Sequence, residues 1–183
     1  MPLSEPPVVR GYSRLTIVMH WLTVVLLIAI YASIEGRVLF ERGSETREFV
    51  KSLHMMLGMS VIIVVLIRLY GRMTSTKPVI APALATWELR LSRLMHASLY
   101  AFLLIMPLLG WLFMSAFNRA VPFFGLELPI LLDENKNLGS SLKEIHETLG
   151  VVGYWLIGLH AVAGLYHHYV KRDNALVNIL KSR

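Results

Sequence analysis

No cysteine occurs anywhere in the 183 residues. Disulfides, thiolate-held iron–sulfur clusters and the C-x-x-C-H attachment of c-type haem are therefore excluded. Charge is scarce as well. Asp, Glu, Lys and Arg make up 16% of the chain, against about 25% in an average soluble domain. Apolar residues take their place, at 55%, with a mean hydropathy of +0.57. This balance points to a bilayer as the solvent, and the length suits one domain over residues 1–183. The isoelectric point near 9.8 does not indicate nucleic acid, because the basic residues lie between the apolar runs and form no single patch.

Four apolar runs are present, at about 15–34, 52–70, 94–117 and 149–170. Each is close to the ~20 residues that cross ~30 Å of hydrocarbon as a helix. None alternates as a barrel strand does. The expected fold is an all-α membrane protein, a four-transmembrane-helix bundle. The first run is too long for the apolar core of a signal peptide and lacks a small-residue cleavage site, so it is expected to stay. Counted with Arg68 near the end of the second run, eleven Lys and Arg fall on the side of the termini and the 71–93 loop, and seven on the other side. Positive charge marks the cytoplasm, so both termini are expected there. The 71–93 loop carries Pro78 and Pro82 and no apolar period, and reads as irregular. The segment VPFFGLELPILL, residues 121–132, is too short to span and reads as an interfacial cover on the outer side.

Seven histidines are placed in or beside these runs. Ionisable groups in a span are costly and usually face the bundle interior. Depth sorts them. His146 and His160 differ by fourteen residues, about 21 Å of rise and ~40° short of four turns, so they share a face at two levels. His54, three residues past Lys51, matches His146 in depth. His20, six past Arg14, is the nearest partner of His160. His96, His167 and His168 are shallower, on the termini's side. Two cross-helix pairs result, His54–His146 outside and His20–His160 inside. Facing imidazoles in a bundle core can ligate iron from both sides, and two axial histidines make a six-coordinate haem that moves electrons and leaves no position open for oxygen. Gly58, Gly150 and Gly164 each follow a paired histidine by four residues, one turn along the same face, where a porphyrin needs clearance. Gly153 lies about 60° from Gly150 and should escape that constraint. A histidine-lined metal transporter is the remote alternative. A zinc site wants about four clustered ligands, whereas these histidines divide between two levels and no acid lies in a span.

The stretches YSRLTIVMHW, HMMLGMSVIIVVLIRLYGR, HASLYAFLLIMPLLGW and HETLGVVGYWLIGLHAVAGLYHHYVKRDNAL together touch all four runs. In these the chain resembles the prokaryotic cytochrome b561 family, whose members include superoxide oxidase. The resemblance implies a multi-pass protein of the bacterial inner membrane with two non-covalent b haems. It implies axial ligands at His20, His54, His146 and His160, ubiquinone as acceptor near the cytoplasmic side, and superoxide as the periplasmic donor, oxidised to dioxygen. His167 matches the quinone-contacting region, with His96 expected as the opposite wall and His168 as an interfacial anchor. Lys51, Lys143, Arg119 and Arg47 are candidates for attracting an anionic donor. The alternative function is an electron-relay or anchor subunit of a membrane dehydrogenase or hydrogenase, which would need a partner subunit.

Overall fold

The computed structural model describes residues 11–75 and 78–180. Of the cations counted on the termini's side, Arg10, Lys77, Lys181 and Arg183 lie outside these residues. Four long helices carry the apolar runs: α1 (Arg14–Gly36), α2 (Glu45–Thr74), α3 (Thr86–Ala116) and α4 (Lys136–Tyr166). All four are long and apolar enough to cross a membrane. Each exceeds the run it contains, because polar residues cap the ends. Ser13 accepts from the Thr16 amide at 3.3 Å, and Ser44 from the Arg47 amide at 3.3 Å. The Glu88 carboxylate accepts from the Ala85 amide at 2.8 Å, and the Asn135 side chain from the Leu138 amide at 3.0 Å. Each satisfies one of the amides a helix start leaves open. α3 therefore begins inside the stretch read as an irregular loop, and α4 begins beyond the 121–132 segment and well before the fourth apolar run.

The segment read as a cover contains a two-stranded hairpin, β1 (Val121–Phe123) with β2 (Leu126–Leu128). Phe124 and Gly125 both have positive φ, at 48° and 86°. That is the two-residue turn whose twist suits a hairpin, and glycine takes it freely. The segment is tied down to the bundle: Val121 is buried, Trp111 Nε1 donates to the Pro129 carbonyl at 2.9 Å, and the Leu131 amide donates to Ser115 Oγ at 3.2 Å.

The tight core is Val61, Val65 and Leu103, with Leu26, Leu27 and Ile30 of α1 packed against it. It joins α1, α2 and α3. α4 lies along α3, and among the described residues its backbone makes no close approach to α1 or α2. Side chains cross that gap instead. Tyr31 Oη donates to the Gly150 carbonyl at 2.8 Å and Tyr154 Oη to Glu35 at 3.1 Å. Outward faces carry large apolar groups in the open, such as Ile28 at 64% and Trp155 at 78% exposure. So much exposed apolar surface is stable only against lipid.

At one end the chain turns back. A π-helical turn, His167–Lys171, leads through Arg172 in the left-handed region to the short α5 (Ala175–Leu180). Trp21 Nε1 of α1 donates to the Ile179 carbonyl at 3.1 Å. The start of α1 and the end of the described chain thus share one side of the bundle. The hairpin lies on the other.

Candidate functional site

Two histidine pairs bridge the gap between α4 and the α1–α2 pair. At the hairpin end, the His54 and His146 rings have centroids 6.4 Å apart. At the terminal end, His20 and His160 stand 6.5 Å apart. Two metal–imidazole bonds of about 2 Å each, plus the ring half-widths, require a separation of roughly 6 Å. Both pairs therefore have room for one ion between facing nitrogens. His54 Nδ1 lies 3.1 Å from the Ile30 carbonyl oxygen. A carbonyl only accepts, so Nδ1 carries the proton and Nε2 keeps its lone pair, the tautomer a ligating histidine needs. His146 Nδ1 is buried without a hydrogen-bond partner, and the Phe113 ring packs edge-on against it at 5.4 Å.

The glycines one turn past the paired histidines border open space. A Cβ added at Gly58 or Gly164 meets no atom within 4 Å, and one at Gly150 touches only the flexible Met106 tip at 3.8 Å. Gly153 is different: a Cβ there would overlap the Tyr31 hydroxyl and the Phe102 ring. Gly153 is held by a constraint other than porphyrin clearance. It is a packing glycine through which Tyr31 and Phe102 approach α4. Gly110 on α3, not singled out from the sequence, faces His146, whose Cε1 lies 3.4 Å from its Cβ position. The spacing from a histidine cannot find such a residue, because it acts across helices.

His96 is not remote from the inner pair. Its ring centroid lies 5.5 Å from that of His160, and its Nδ1 donates to the Ser92 carbonyl at 2.6 Å. His167 belongs to a separate group at the chain's turn. Its Nδ1 lies 2.6 Å from Asp173 Oδ2, with the Asp173 side chain only 1% exposed. The other Asp173 oxygen accepts from the Ala175 amide at 2.9 Å. Lys171 pairs with the buried Glu88 at 2.8 Å. Asn174 fastens the turn to the 78–85 segment through Val79 and Ala81. His168 packs on Tyr169 and lines a small cavity with Arg172 and Asp173. Neither Glu88 nor Asp173 was visible as a functional candidate in the sequence.

Among the outer cations, Lys51 pairs with Glu48 at 2.6 Å and Lys143 with Glu147 at 3.5 Å. Arg47 donates to the Phe40 carbonyl at 2.9 Å. Arg119 is exposed and belongs to none of the ion pairs among the described residues. No three His, Asp or Glu side chains among the described residues converge as a metal cluster.

Comparison with known proteins agrees with this arrangement. Residues 11–182 match the family model for prokaryotic cytochrome b561. Cytochrome b561 homolog 1 of Escherichia coli (strain K12) is 33% identical over 172 residues, covering 94% of this chain and 98% of that protein. The protein named probable superoxide oxidase CybB of Yersinia pestis is 30% identical over 174 residues, covering 95% and 98%. Cytochrome b561 homolog 2 of the same E. coli strain is 22% identical over 170 residues, covering 92% and 90%. With four helices fit to cross a membrane and two histidine pairs facing across them, the chain belongs to the prokaryotic cytochrome b561 family, membrane proteins that bind haem b and transfer electrons.

Proposed function

We propose that this protein carries electrons from superoxide on the periplasmic side of the bacterial inner membrane to ubiquinone near the cytoplasmic side. His54 and His146 would hold one haem b, and His20 and His160 a second. The observation that carries this reading is the repetition of one geometry at two depths, centroids 6.4 and 6.5 Å apart. Haem b held between two imidazoles supplies one-electron transfer and offers no free coordination position.

The chain's own groups do the rest. The Ile30 carbonyl fixes His54 with Nε2 free. Gly58, Gly150 and Gly164 leave the adjoining face clear for a flat macrocycle. On the outer surface Arg119 and Arg47 belong to no ion pair among the described residues and, with Lys51, surround the single carboxylate of Glu48, whereas Lys143 is offset by Glu147. That local excess would draw in an anionic donor. On the inner surface the His167–Asp173 couple offers a proton to a quinone carbonyl. Asp173 accepts from Nδ1–H, so Nε2 is the atom that would take up a proton from the cytoplasmic side, and the imidazolium so formed would pass it to the quinone oxygen. The balanced reaction is two superoxide ions, one ubiquinone and two protons giving two dioxygen molecules and one ubiquinol. The relatives support this through the name one of them bears, and the positive charge on the termini's side supports a cytoplasmic location for it.

The test is a reduced-minus-oxidised spectrum with a haem count, followed by superoxide-driven ubiquinol formation by the purified protein in liposomes. Two haems per chain and quinol formation without any other subunit are expected. Haem reduction that reaches quinone only when a second protein is added would instead assign the chain as a relay subunit. Absence of a redox-responsive haem spectrum would sink both readings.

A further inference from the structure

Arg68 is the only Asp, Glu, Lys or Arg within the four apolar runs. Fourteen residues separate it from His54, as fourteen separate His160 from His146. The same offset places it on the His54 face of α2, at the depth of the inner pair. There it reaches His20: one guanidinium nitrogen lies 3.3 Å from His20 Nδ1, and the other donates to Thr23 Oγ1 at 3.1 Å. Arg68 and Arg72 both stand over the Tyr100 ring, at 5.5 and 5.7 Å from its centroid. No ion pair among the described residues includes either arginine. The buried acids nearest this end, Glu88 and Asp173, are taken by Lys171 and His167. A cation inside a span without a carboxylate is costly, and such residues mark a ligand or an ion path.

The contact with His20 carries more information than the charge alone. A guanidinium has only donors, so in this arrangement His20 Nδ1 is the acceptor and the ring proton sits on Nε2. A histidine in that tautomer cannot give Nε2 to iron. Ligation requires the proton to leave Nε2 and appear on Nδ1. Arg68 would then face another N–H and lose its acceptor.

We propose that Arg68 is the counter-cation of the inner haem, turning from His20 to a propionate carboxylate of that haem when His20 ligates through Nε2. This rests on the reading of His20 and His160 as an axial pair. Binding of the carboxylate and release of the His20 tautomer are then one event. The same device places a fixed positive charge beside the inner centre, which favours its reduced form and so the inward direction of electron flow.

The test uses purified holoprotein in nanodiscs of zwitterionic lipid and of anionic lipid, with haem content and the midpoint potential of each haem as readouts. Arg68→Gln should lower the reduction equilibrium constant of the inner haem about tenfold, which is ~59 mV for a one-electron couple, and leave the outer haem unchanged. Arg68→Lys should restore most of the shift. Arg72→Gln, at an exposed position, should do much less. Loss of the inner haem alone in Arg68→Gln would also support the assignment. Two haems titrating as in wild type would overturn it. A shift seen only in anionic lipid would overturn it too, because the partner would then be a lipid phosphate. Should Arg68→Gln hold no haem at all, Arg68→Lys decides. Its inner haem should pass to apomyoglobin faster than that of wild type, since a point charge replaces a bidentate fork, and equal rates would refute the proposal. His20→Ala separates the premise, because retention of both haems there would remove the axial pair itself.

Discussion

Three of the four paired histidines are held by something other than their pairing. His54 has the Ile30 carbonyl, His20 has Arg68, and His146 has an edge-on Phe113. Removing one imidazole should therefore empty one site and leave the other standing. His54→Ala and His146→Ala are each expected to halve the haem count, with the remaining haem spectrally unchanged. Two full haems in either variant would take that residue off the ligand set. The histidines were legible because an imidazole in an apolar run has few reasons to be there. Arg68, Gly110, Glu88 and Asp173 were not, because each takes its meaning from a residue on another element: His20, His146, Lys171 and His167. The last couple yields a second expectation. Asp173→Asn replaces an acceptor-only group with one that can also donate, so His167 loses its fixed tautomer. Both Asp173→Asn and His167→Ala should keep two haems and their reduction from outside, and slow ubiquinol formation several-fold. His168→Ala, whose ring packs on Tyr169, should do far less. Stopped-flow haem reduction recorded beside quinol formation makes the comparison, and unchanged quinol formation in His167→Ala would refute its role.

At the level of helices, the two kinds of glycine differ by what stands opposite. Gly58 and Gly164 face no atom, while Gly153 and Gly139 are in close contact with rings of Tyr31, Phe102 and Phe117. Sequence spacing put Gly58, Gly150 and Gly164 together because each lies one turn from a histidine. It did not reveal the packing at Gly153, because close helix packing leaves no local period. Gly158 supplies the comparison that Gly153 cannot: it is exposed and a Cβ there meets nothing. Leucine at either Gly58 or Gly158 gains about 1 kcal/mol of helix propensity over glycine, so neither change should unfold the bundle. Gly58→Leu is expected to cost most of the outer haem, and Gly158→Leu none. Equal haem content in the two would show that porphyrin clearance does not explain Gly58. Gly153→Leu should instead destabilise the whole bundle by about 1–3 kcal/mol through overpacking, seen as a lower melting temperature with both haems weakened together. The same contrast explains the misread loops. The starts of α3 and α4 are set by Glu88 and Asn135 acting as caps, and those polar residues interrupt the apolar run that sequence reading follows.

For the whole molecule, everything vectorial in the proposed function depends on which face meets the cytoplasm. The fold joins the start of α1, the 78–85 segment and α5 on one side through Trp21–Ile179 and Asn174–Ala81. The hairpin, the α1–α2 connection and the start of α4 are on the other. Lys and Arg number eleven on the first side and seven on the second, where nine of the twelve acids also lie. Orientation follows the count of Lys and Arg near the span ends, with acids contributing little. The bias is modest, and it was readable from sequence because span order alone assigns each loop to a side. The absence of cysteine makes it directly measurable. Asn137 on α4 and Thr86 on α3 are both exposed, one at each end of the bundle. Asn137→Cys should react with a membrane-impermeant maleimide on intact spheroplasts. Thr86→Cys should react only after lysis, and wild type in neither case. The opposite pattern would turn the molecule over. His54 and His146 would then face the cytoplasm, the Arg119 surface would meet a different donor, and transfer from periplasmic superoxide to a quinone protonated from inside would lose its geometric basis even with both haems in place.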